Sequence, residues 1–265
     1  MTKITSTQNK LIKEIVSLQT KSKDRKHNKL IVIEGQKEIE LAISAGLKME
    51  KVFYCSEIIN FAEVEKIFQK QIYGLDIYEV SEVVFSKISY RETTGGIIAV
   101  AKMPEKNINE LKINEQSVFI ILESVEKPGN LGAICRVADA AKVDGVIICD
   151  PHTDIYNPNS IRSSLGCVFT VNIVNSSFDE TTNWLKTNQI KTFATELNAA
   201  NFYQNQNLKD KVAFVFGTEA TGLTKKWIDF ADIGIKIPMR GVIDSLNVTT
   251  SVAILVFEAM RQRGF

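Results

Sequence analysis

Three segments in the second half of the chain combine glycines with polar side chains that could bind or act on a ligand. They are 123–136 (ESVEKPGNLGAICR), 216–224 (FGTEATGLT) and 237–249 (IPMRGVIDSLNVT). Glycine allows backbone conformations and close approaches that other side chains block. Arginine, asparagine, serine and carboxylate groups can orient a substrate or take part in proton transfer. The three segments are therefore the candidates for a binding or catalytic site.

Each segment also has a purely structural explanation. In the first, Pro128 and Gly129 predict a turn and Asn130 is expected to cap the helix that carries Arg136. A capped helix with an exposed arginine would explain that pattern equally well. In the second, Glu219 stands between two glycines, and a plain strand-to-helix turn rarely needs such a carboxylate. The second segment therefore favours a functional explanation slightly over a purely structural one.

The third segment places Asp244, Ser245 and Asn247 before a helix predicted from about Val248 to Arg263. Generous N-capping would explain these residues, but a loop of this length before a helix is more often functional. Neither the dinucleotide fingerprint G-x-G-x-x-G nor the phosphate loop G-x-x-x-x-G-K-[ST] occurs. Their absence disfavours a dinucleotide enzyme and a P-loop NTPase.

Strands that alternate with helical patterns are predicted to position these segments. The candidate strands are 118–122, 145–149, 170–174, 191–195, 212–216 and 233–237. Several are continuous apolar runs, as expected for parallel strands that are covered on both faces. In open α/β sheets, ligands bind beyond the carboxyl ends of the strands. The pattern predicts an α/β domain with a mostly parallel sheet over 117–265.

A smaller α/β unit is predicted from residue 1 to 102, followed by a polar linker over 103–116. Near its start, the run 21–29 carries five lysine or arginine residues and one histidine. A run of charges is usually a solvated loop, and the alternative is a surface that contacts phosphates. The run alone favours the loop.

Composition narrows the function classes further. The chain has 265 residues, a formal net charge of +1, two histidines and four cysteines without C-x-x-C spacing. A Ser-His-Asp triad or a multi-histidine metal site is hard to build from two histidines, so no metal is expected. The cysteines predict buried free thiols and a reducing cytoplasm. No signal peptide and no run of about 20 apolar residues is present, so no membrane partner is expected.

Together, the order and spacing of the three segments resemble the SpoU/TrmH family of SPOUT RNA 2′-O-methyltransferases. The matching motifs are N-x-G-x-x-x-R at 130–136, G-T-E-x-x-G-L at 217–223 and I-P…S-L-N-V at 237–248. The segment RSSLGCVF at 162–169 also looks like a family segment. The stretch 4–35 is similar to the small substrate-binding domain that often precedes this catalytic domain. The resemblance thus covers nearly the whole chain.

The resemblance implies a mostly parallel α/β domain with a C-terminal trefoil knot (SPOUT), preceded by a small α/β ribosomal-protein-like domain. It implies S-adenosyl-L-methionine as the cofactor and a homodimer with the active site completed across the interface. The implied cofactor-binding residues are Thr195, Gly217, Ile237 and Leu246. The implied catalytic residues are Asn130, Arg136, Glu219, Ser245 and Asn247. Since arginine stays protonated near neutral pH, Arg136 is expected to position and polarise the ribose hydroxyl or the adjacent phosphate.

With this resemblance, the basic run is better explained as an RNA contact, through Arg25 and Lys26 first. The expected reaction is methyl transfer to a ribose 2′-hydroxyl in RNA, with ribosomal RNA favoured over tRNA. Family members often carry Asp-Pro where this chain has Lys127-Pro128, which bears on RNA specificity more than on activity. Two alternatives remain open: a catalytically inactive RNA-binding ribosome-assembly factor, and an α/β enzyme that uses a nucleotide or phosphate in another chemistry.

Overall fold

The protein is described by a computed structural model that covers residues 2–90, 95–151, 153–218 and 220–264, apart from the side chain of Lys70. Contacts group the chain into two compact units. The first unit is Met1–Pro104 with Asp154–Thr170, and the second is Glu105–Thr153 with Val171–Phe265. The segment Asp154–Thr170, which the sequence pattern leaves in the larger domain, thus belongs to the first unit by its contacts.

Strands and helices alternate along both units. The strands are β1 (Thr2–Ile4), β2 (Leu30–Glu34), β3 (Met49–Tyr54), β4 (Asp76–Val80), β5 (Ile97–Lys102), β6 (Val118–Glu123), β7 (Gly145–Cys149), β8 (Ile173–Ser176), β9 (Lys191–Thr195), β10 (Asn201–Phe202), β11 (Val212–Phe216) and β12 (Ile233–Lys236). The helices are α1 (Lys10–Thr20), α2 (Ser22–Asn28), α3 (Gln36–Ser44), α4 (Phe61–Phe68), α5 (Glu82–Ile88), α6 (Pro128–Ala140), α7 (Pro158–Ser163), α8 (Cys167–Thr170), α9 (Phe178–Thr187), α10 (Lys225–Phe230) and α11 (Val248–Gln262).

The first unit is built on a five-stranded mixed sheet with the order β1-β4-β3-β5-β2. Strand β5 runs antiparallel to both of its neighbours, and the other two pairs are parallel. Helix α1 begins after Asn9, whose side chain accepts a hydrogen bond from the Leu11 amide at 2.9 Å. Its apolar side, Ile12, Ile15 and Leu18, is buried against the sheet. Helices α7 and α8 pack on β2 and α3 of the same unit.

The second unit is built on a seven-stranded sheet with the order β10-β12-β9-β11-β6-β7-β8. All six strand pairs are parallel. Strands β6, β7 and β11 are buried along their whole length, as the continuous apolar runs predict. The predicted α/β fold with a large, mostly parallel sheet is confirmed.

Some predicted elements differ from the structure. The strand predicted at 170–174 is β8, Ile173–Ser176, because the residues before it form α8. The basic run 21–29 is mostly helical and not a loop: α2 ends at Asn28, and its C-cap Lys29 has a left-handed φ of 53°. The linker 103–116 contains one short 3₁₀ turn, at Ile108–Glu110. Among the described residues, no helix is both long enough and apolar enough to cross a membrane.

Candidate functional site

A cavity of about 690 Å³ lies in the second unit, beyond the carboxyl ends of the adjacent strands β12, β9 and β11. Its lining residues come from 195–198, 216–218, 220–223, 235–237, Met239 and 244–248, with Ser251 and Leu255 of α11. Its floor is apolar, since Leu223, Ile235 and Leu255 are all buried. The cavity is therefore where ligands bind in open parallel α/β sheets.

The loop after β11 forms a tight backbone cradle on one side of the cavity. The Thr218 amide donates to the Gly222 carbonyl at 3.2 Å, and the Gly222 amide donates back to the Thr218 carbonyl at 3.0 Å. A Cβ on Gly217 would lie 2.1 Å from the Gly222 carbonyl carbon and 2.3 Å from the Leu223 nitrogen. Gly222 itself has a φ of +69°. Gly217 is thus needed because a side chain has no space there, and Gly222 because its backbone conformation is left-handed.

Glu123, at the end of β6, fixes the far end of this cradle. Its buried carboxylate accepts hydrogen bonds from the Thr224 amide at 2.8 Å and from the Thr224 hydroxyl at 2.7 Å. Thr224 is the N-cap of α10, so the carboxylate holds the helix start directly after the loop. The sequence analysis missed this role. The signal was a carboxylate at the end of a wholly apolar strand, since a buried charge needs partners.

The first and third motif segments meet through two asparagines. Asn247 is the N-cap of α11: its Oδ1 accepts from the Thr249 amide at 2.9 Å, and its Nδ2 donates to Asn130 Oδ1 at 3.3 Å. The prediction that Asn130 caps α6 is wrong. The helix begins at Pro128, with Lys127 as N-cap, because proline is favoured at the first helical position. The Asn130 side chain is thereby directed to Asn247 and not to its own helix.

Thr195 joins two strands at the rim of the cavity. Its hydroxyl donates to the Val215 carbonyl on the neighbouring β11 at 2.8 Å. On the other side of β9, the Glu196 amide donates to the Ile235 carbonyl at 3.0 Å, and the Glu196 side chain lines the cavity. Ser245 donates to Asp244 Oδ1 at 3.1 Å on the exposed third loop. Nothing in the sequence pointed to Glu196 as a cavity residue except its position directly after a predicted strand.

The structure brings most of the predicted site residues together. Those that line the cavity are Thr195, Gly217, Ile237, Ser245, Leu246 and Asn247. Asn130 is joined to them through its bond to Asn247. Arg136 lies exposed on α6 and is not among the lining residues of this cavity. Glu219 lies outside the described residues.

The two residues predicted to contact RNA differ sharply in exposure. Lys26 is exposed on α2, whereas Arg25 is only 1% exposed. The Arg25 guanidinium donates to Asp154 Oδ2 at 2.6 Å and to the Leu18 carbonyl at 2.5 Å. Helix α2 turns one side inward, and this side carries Arg25 into the interior of the first unit. The structure therefore gives Arg25 an internal ion pair, and its donors do not face solvent.

The cysteines are free, and Cys55, Cys135 and Cys149 are buried. Burial raises the pKa of the Cys149 thiol to about 12 and that of Cys55 to about 11. Neither thiol is therefore set up as a nucleophile. Across the part of the chain that the structure describes, no three histidine, cysteine, aspartate or glutamate side chains are grouped to hold a metal ion.

The fold and the cavity define a class of α/β protein that binds a small molecule at the carboxyl edge of a parallel sheet, in a cradle of glycine backbone. Residues 117–257 match the SpoU rRNA methylase family, and residues 9–99 match the MRM3-like substrate binding domain. The chain belongs to the SpoU rRNA methylase family. The family predicted from the three motifs is thus confirmed.

Individual relatives match over almost their whole length. The chain is 29% identical over 257 residues to the 23S rRNA (guanosine(2553)-2′-O)-methyltransferase RlmP of Bacillus subtilis (strain 168), covering 97% of this chain and 98% of that protein. A crystal structure of an RNA 2′-O ribose methyltransferase is 37% identical, with a TM-score of 0.84 over 99% of this chain and 100% of the other. The AdoMet-bound rRNA methyltransferase from Sinorhizobium meliloti is 28% identical, with a TM-score of 0.90 over 98% and 97% of the two chains.

Proposed function

We infer that this chain is an S-adenosyl-L-methionine-dependent RNA ribose 2′-O-methyltransferase that acts on ribosomal RNA in preference to tRNA. The observation that carries this conclusion is the glycine-walled cavity at the carboxyl ends of β9, β11 and β12, lined largely by the second and third motif segments. It occurs in a chain that covers 98% of a curated 23S rRNA 2′-O-methyltransferase. The fold alone would allow many chemistries, whereas the site is specific.

The cavity fits the cofactor in size and chemistry. A volume of about 690 Å³ lies within the roughly 300–1,000 Å³ of sites for ligands of this size. Gly217, Ile237 and Leu246 line the cavity, together with Thr195 at the end of β9. We propose that these four residues hold the cofactor. When bound, S-adenosylmethionine supplies an electrophilic methyl group on a positively charged sulfur.

The reaction is an in-line displacement that needs a well-placed hydroxyl. The ribose 2′ oxygen forms a bond to the methyl carbon as the carbon–sulfur bond breaks, and the hydroxyl proton passes to an acceptor. The paired amides of Asn130 and Asn247 are hydrogen-bonded to each other, and the Ser245 hydroxyl stands on the same loop. We propose that they orient the ribose, with Glu219, and that Arg136 positions the hydroxyl or its phosphate. Orientation of this kind lowers the barrier substantially.

A homodimer that completes the active site at its interface is part of this proposal. Arg136 is exposed and lies outside the lining of the cavity in its own chain, which supports the proposal that a second protomer supplies it to the site. Val242 and Ile243, on the third loop, are strongly exposed apolar side chains. Adjacent exposed apolar residues beside a site are typical of a surface that another protein covers.

RNA recognition is assigned to the first unit. Lys26 is exposed, and so are Lys21, Lys23 and Lys29 around α2. We propose that this basic surface, defined by these four lysines, contacts phosphates and positions the RNA. Arg25 would support it from inside, through its ion pair with Asp154.

The wider organisation follows the family resemblance. We propose an RNA substrate-binding domain over 1–102, a linker over 103–116 and a catalytic domain over 117–265. The C-terminal part of the catalytic domain is proposed to form a trefoil knot, and the enzyme is proposed to work in the cytoplasm.

The test is a methyl-transfer assay with radiolabelled S-adenosylmethionine and total RNA that lacks this modification. Wild type, Arg136→Ala and a control, Lys112→Ala, are compared, since Lys112 is an exposed cation of the same unit. We expect label on a 2′-O-methylated nucleoside, lost in Arg136→Ala and kept in Lys112→Ala. Label on a base would contradict ribose methylation. No transfer together with no cofactor binding by calorimetry would refute the enzyme and leave an RNA-binding protein.

A further inference from the structure

A second cavity, of about 240 Å³, lies within the first unit and shares no lining residue with the larger one. Its wall includes residues of β2, the start of α3 and α7, together with Tyr90. It is called the Tyr90 cavity below. Its volume is smaller than the roughly 300 Å³ at which sites for drug-sized ligands begin. It therefore has room for a single small ring system.

One wall of the Tyr90 cavity is a flat stack. The guanidinium carbon of Arg162 lies 4.5 Å from the centroid of the Tyr90 ring. Arg162 is held by a hydrogen bond from Nη2 to Asn159 Oδ1 at 2.9 Å, and the Tyr90 amide donates to Glu34 Oε1 at 2.8 Å. The guanidinium is thus held by its side-chain bond and the Tyr90 backbone by Glu34, and Tyr90 remains 58% exposed. A planar ring and a planar guanidinium are the surfaces on which nucleobases stack in RNA–protein complexes.

The rest of the wall can recognise the edge of a base. Glu34, Gln36, Lys37 and Glu38 are among the residues that line the cavity, so its wall is rich in polar side chains. Gly35, between them, has a φ of +101°, and a Cβ there would lie 2.6 Å from Glu38 Oε2. The glycine therefore lets the Glu38 carboxylate fold back over the start of α3. Carboxylates and amides pair with the N–H donors and acceptors on base edges.

We propose that the Tyr90 cavity binds one unpaired nucleobase of the RNA, stacked on Tyr90 and Arg162 and hydrogen-bonded along its edge. This inference rests on the proposed function in that it takes RNA as the substrate. An unpaired base is the appropriate ligand, since sequence-specific RNA recognition mostly targets bases splayed out of loops and bulges.

The test measures RNA binding without methyl transfer, by filter binding of total ribosomal RNA that lacks the modification. The variants are Tyr90→Ala, Tyr90→Phe and Arg162→Lys, and the control is Tyr73→Ala, which removes a 92% exposed tyrosine of the same unit. Loss of a base stack is expected to weaken RNA binding by roughly 5- to 150-fold in Tyr90→Ala. Tyr90→Phe keeps the ring and is expected to bind like wild type, as is Tyr73→Ala.

Arg162→Lys separates stacking from charge. It keeps the positive charge and loses the planar group, so affinity should fall while the dependence of binding on salt concentration stays unchanged. In the transfer assay, Tyr90→Ala should raise the KM for RNA with kcat nearly unchanged, and cofactor affinity by calorimetry should equal that of wild type.

The outcomes distinguish this inference from the proposed function. If Tyr90→Ala binds RNA within twofold of Tyr73→Ala, the base-binding cavity is refuted, whether or not the wild type transfers methyl groups. If the wild type transfers none but Tyr90→Ala still loses RNA affinity, the proposed reaction fails and the base site stands. A loss in Tyr90→Phe equal to that in Tyr90→Ala would overturn stacking, because the ring is retained. Matching thermal unfolding midpoints would exclude misfolding as the cause.

Discussion

Substitution of Gly217 by alanine adds a single methyl group to the proposed cofactor site. The added Cβ would lie 2.1 Å from the carbonyl carbon and 2.2 Å from the carbonyl oxygen of Gly222. These are backbone atoms, which cannot rotate away as a side chain would. To reach an ordinary contact of 3.4 Å from 2.1 Å, the two sides of the cradle must separate by 1.3 Å. Glu123 holds Thr224, at the end of the loop, so the loop cannot move away as a whole. The added methyl group must therefore be accommodated by opening the cradle.

This displacement sets the size of the expected effect. Misplacement of a binding group by about 1 Å can cost about 100-fold in function. Forcing a methyl group into a packed site also costs about 1–3 kcal/mol of stability. We therefore expect Gly217→Ala to lose about 100-fold in cofactor affinity, with a measurable fall in the free energy of unfolding. Gly222→Ala should lose less, since its Cβ meets nothing within 4 Å and only the left-handed φ opposes it, at about 1–2 kcal/mol.

The assay is titration calorimetry with S-adenosylmethionine on the folded variants, paired with urea unfolding. Gly241→Ala is the matched control, because it lies on the third loop and a Cβ there meets nothing within 4 Å. It should bind the cofactor like wild type. Wild-type affinity in Gly217→Ala, with a folded protein, would refute the argument that the glycine cradle forms the cofactor site.

Three further predictions concern buried polar groups. Arg25→Ala should lower the free energy of unfolding in urea by about 3–5 kcal/mol, because it leaves the buried carboxylate of Asp154 without its cation. Replacement of the neighbouring residue, Lys26→Ala, should leave the free energy of unfolding within about 0.5 kcal/mol of wild type. It should reduce the slope of log RNA affinity against log salt concentration by about 1. An equal loss of stability in both variants would contradict this contrast. Glu123→Gln should cost about 1–3 kcal/mol and weaken cofactor binding, since an amide has one acceptor oxygen for the two donors of Thr224. For Cys149, burial and then nearby carboxylate charge raise the pKa to about 12 from 9.0. The fold favours the neutral thiol, so the contribution of Cys149 to the free energy of unfolding is full below about pH 9 and is lost as pH rises toward 12. The free energies of unfolding in urea of wild type and Cys149→Ala should therefore converge over that range.

The sequence predicts the second unit well because its strands are buried on both faces. The strands at 145–149 and 212–216 have the predicted bounds, since a continuous apolar run ends where burial ends. The strand at 191–195 also has the predicted bounds, although only its three central residues are buried. The cavity residues of the second and third motif segments were equally accessible to prediction, because both segments follow a strand. Local patterns of this kind are fixed by neighbours in the chain.

What the sequence could not predict depends on contacts between distant residues. The burial of Arg25 follows from an ion pair with Asp154, which is 129 positions away. The asparagine pair of Asn130 and Asn247 spans 117 positions. A charge run gives no sign that one of its members faces inward, and an asparagine before a helix looks like a cap until the helix start is known. Such pairings exist only once the tertiary fold is formed.

The place of β11 in the sheet has a consequence for the order in which the molecule forms. It lies between β9 and β6, and its pairing partner Val118 is 94 positions earlier than Val212. During synthesis, the edge of β6 that will pair with β11 therefore remains unpaired until residue 216 has left the ribosome. An unpaired buried strand invites association with other chains, and pairings across such long separations are slow. The nascent protein thus exposes this apolar strand edge until shortly before its cavity can form, a condition that favours aggregation in that interval.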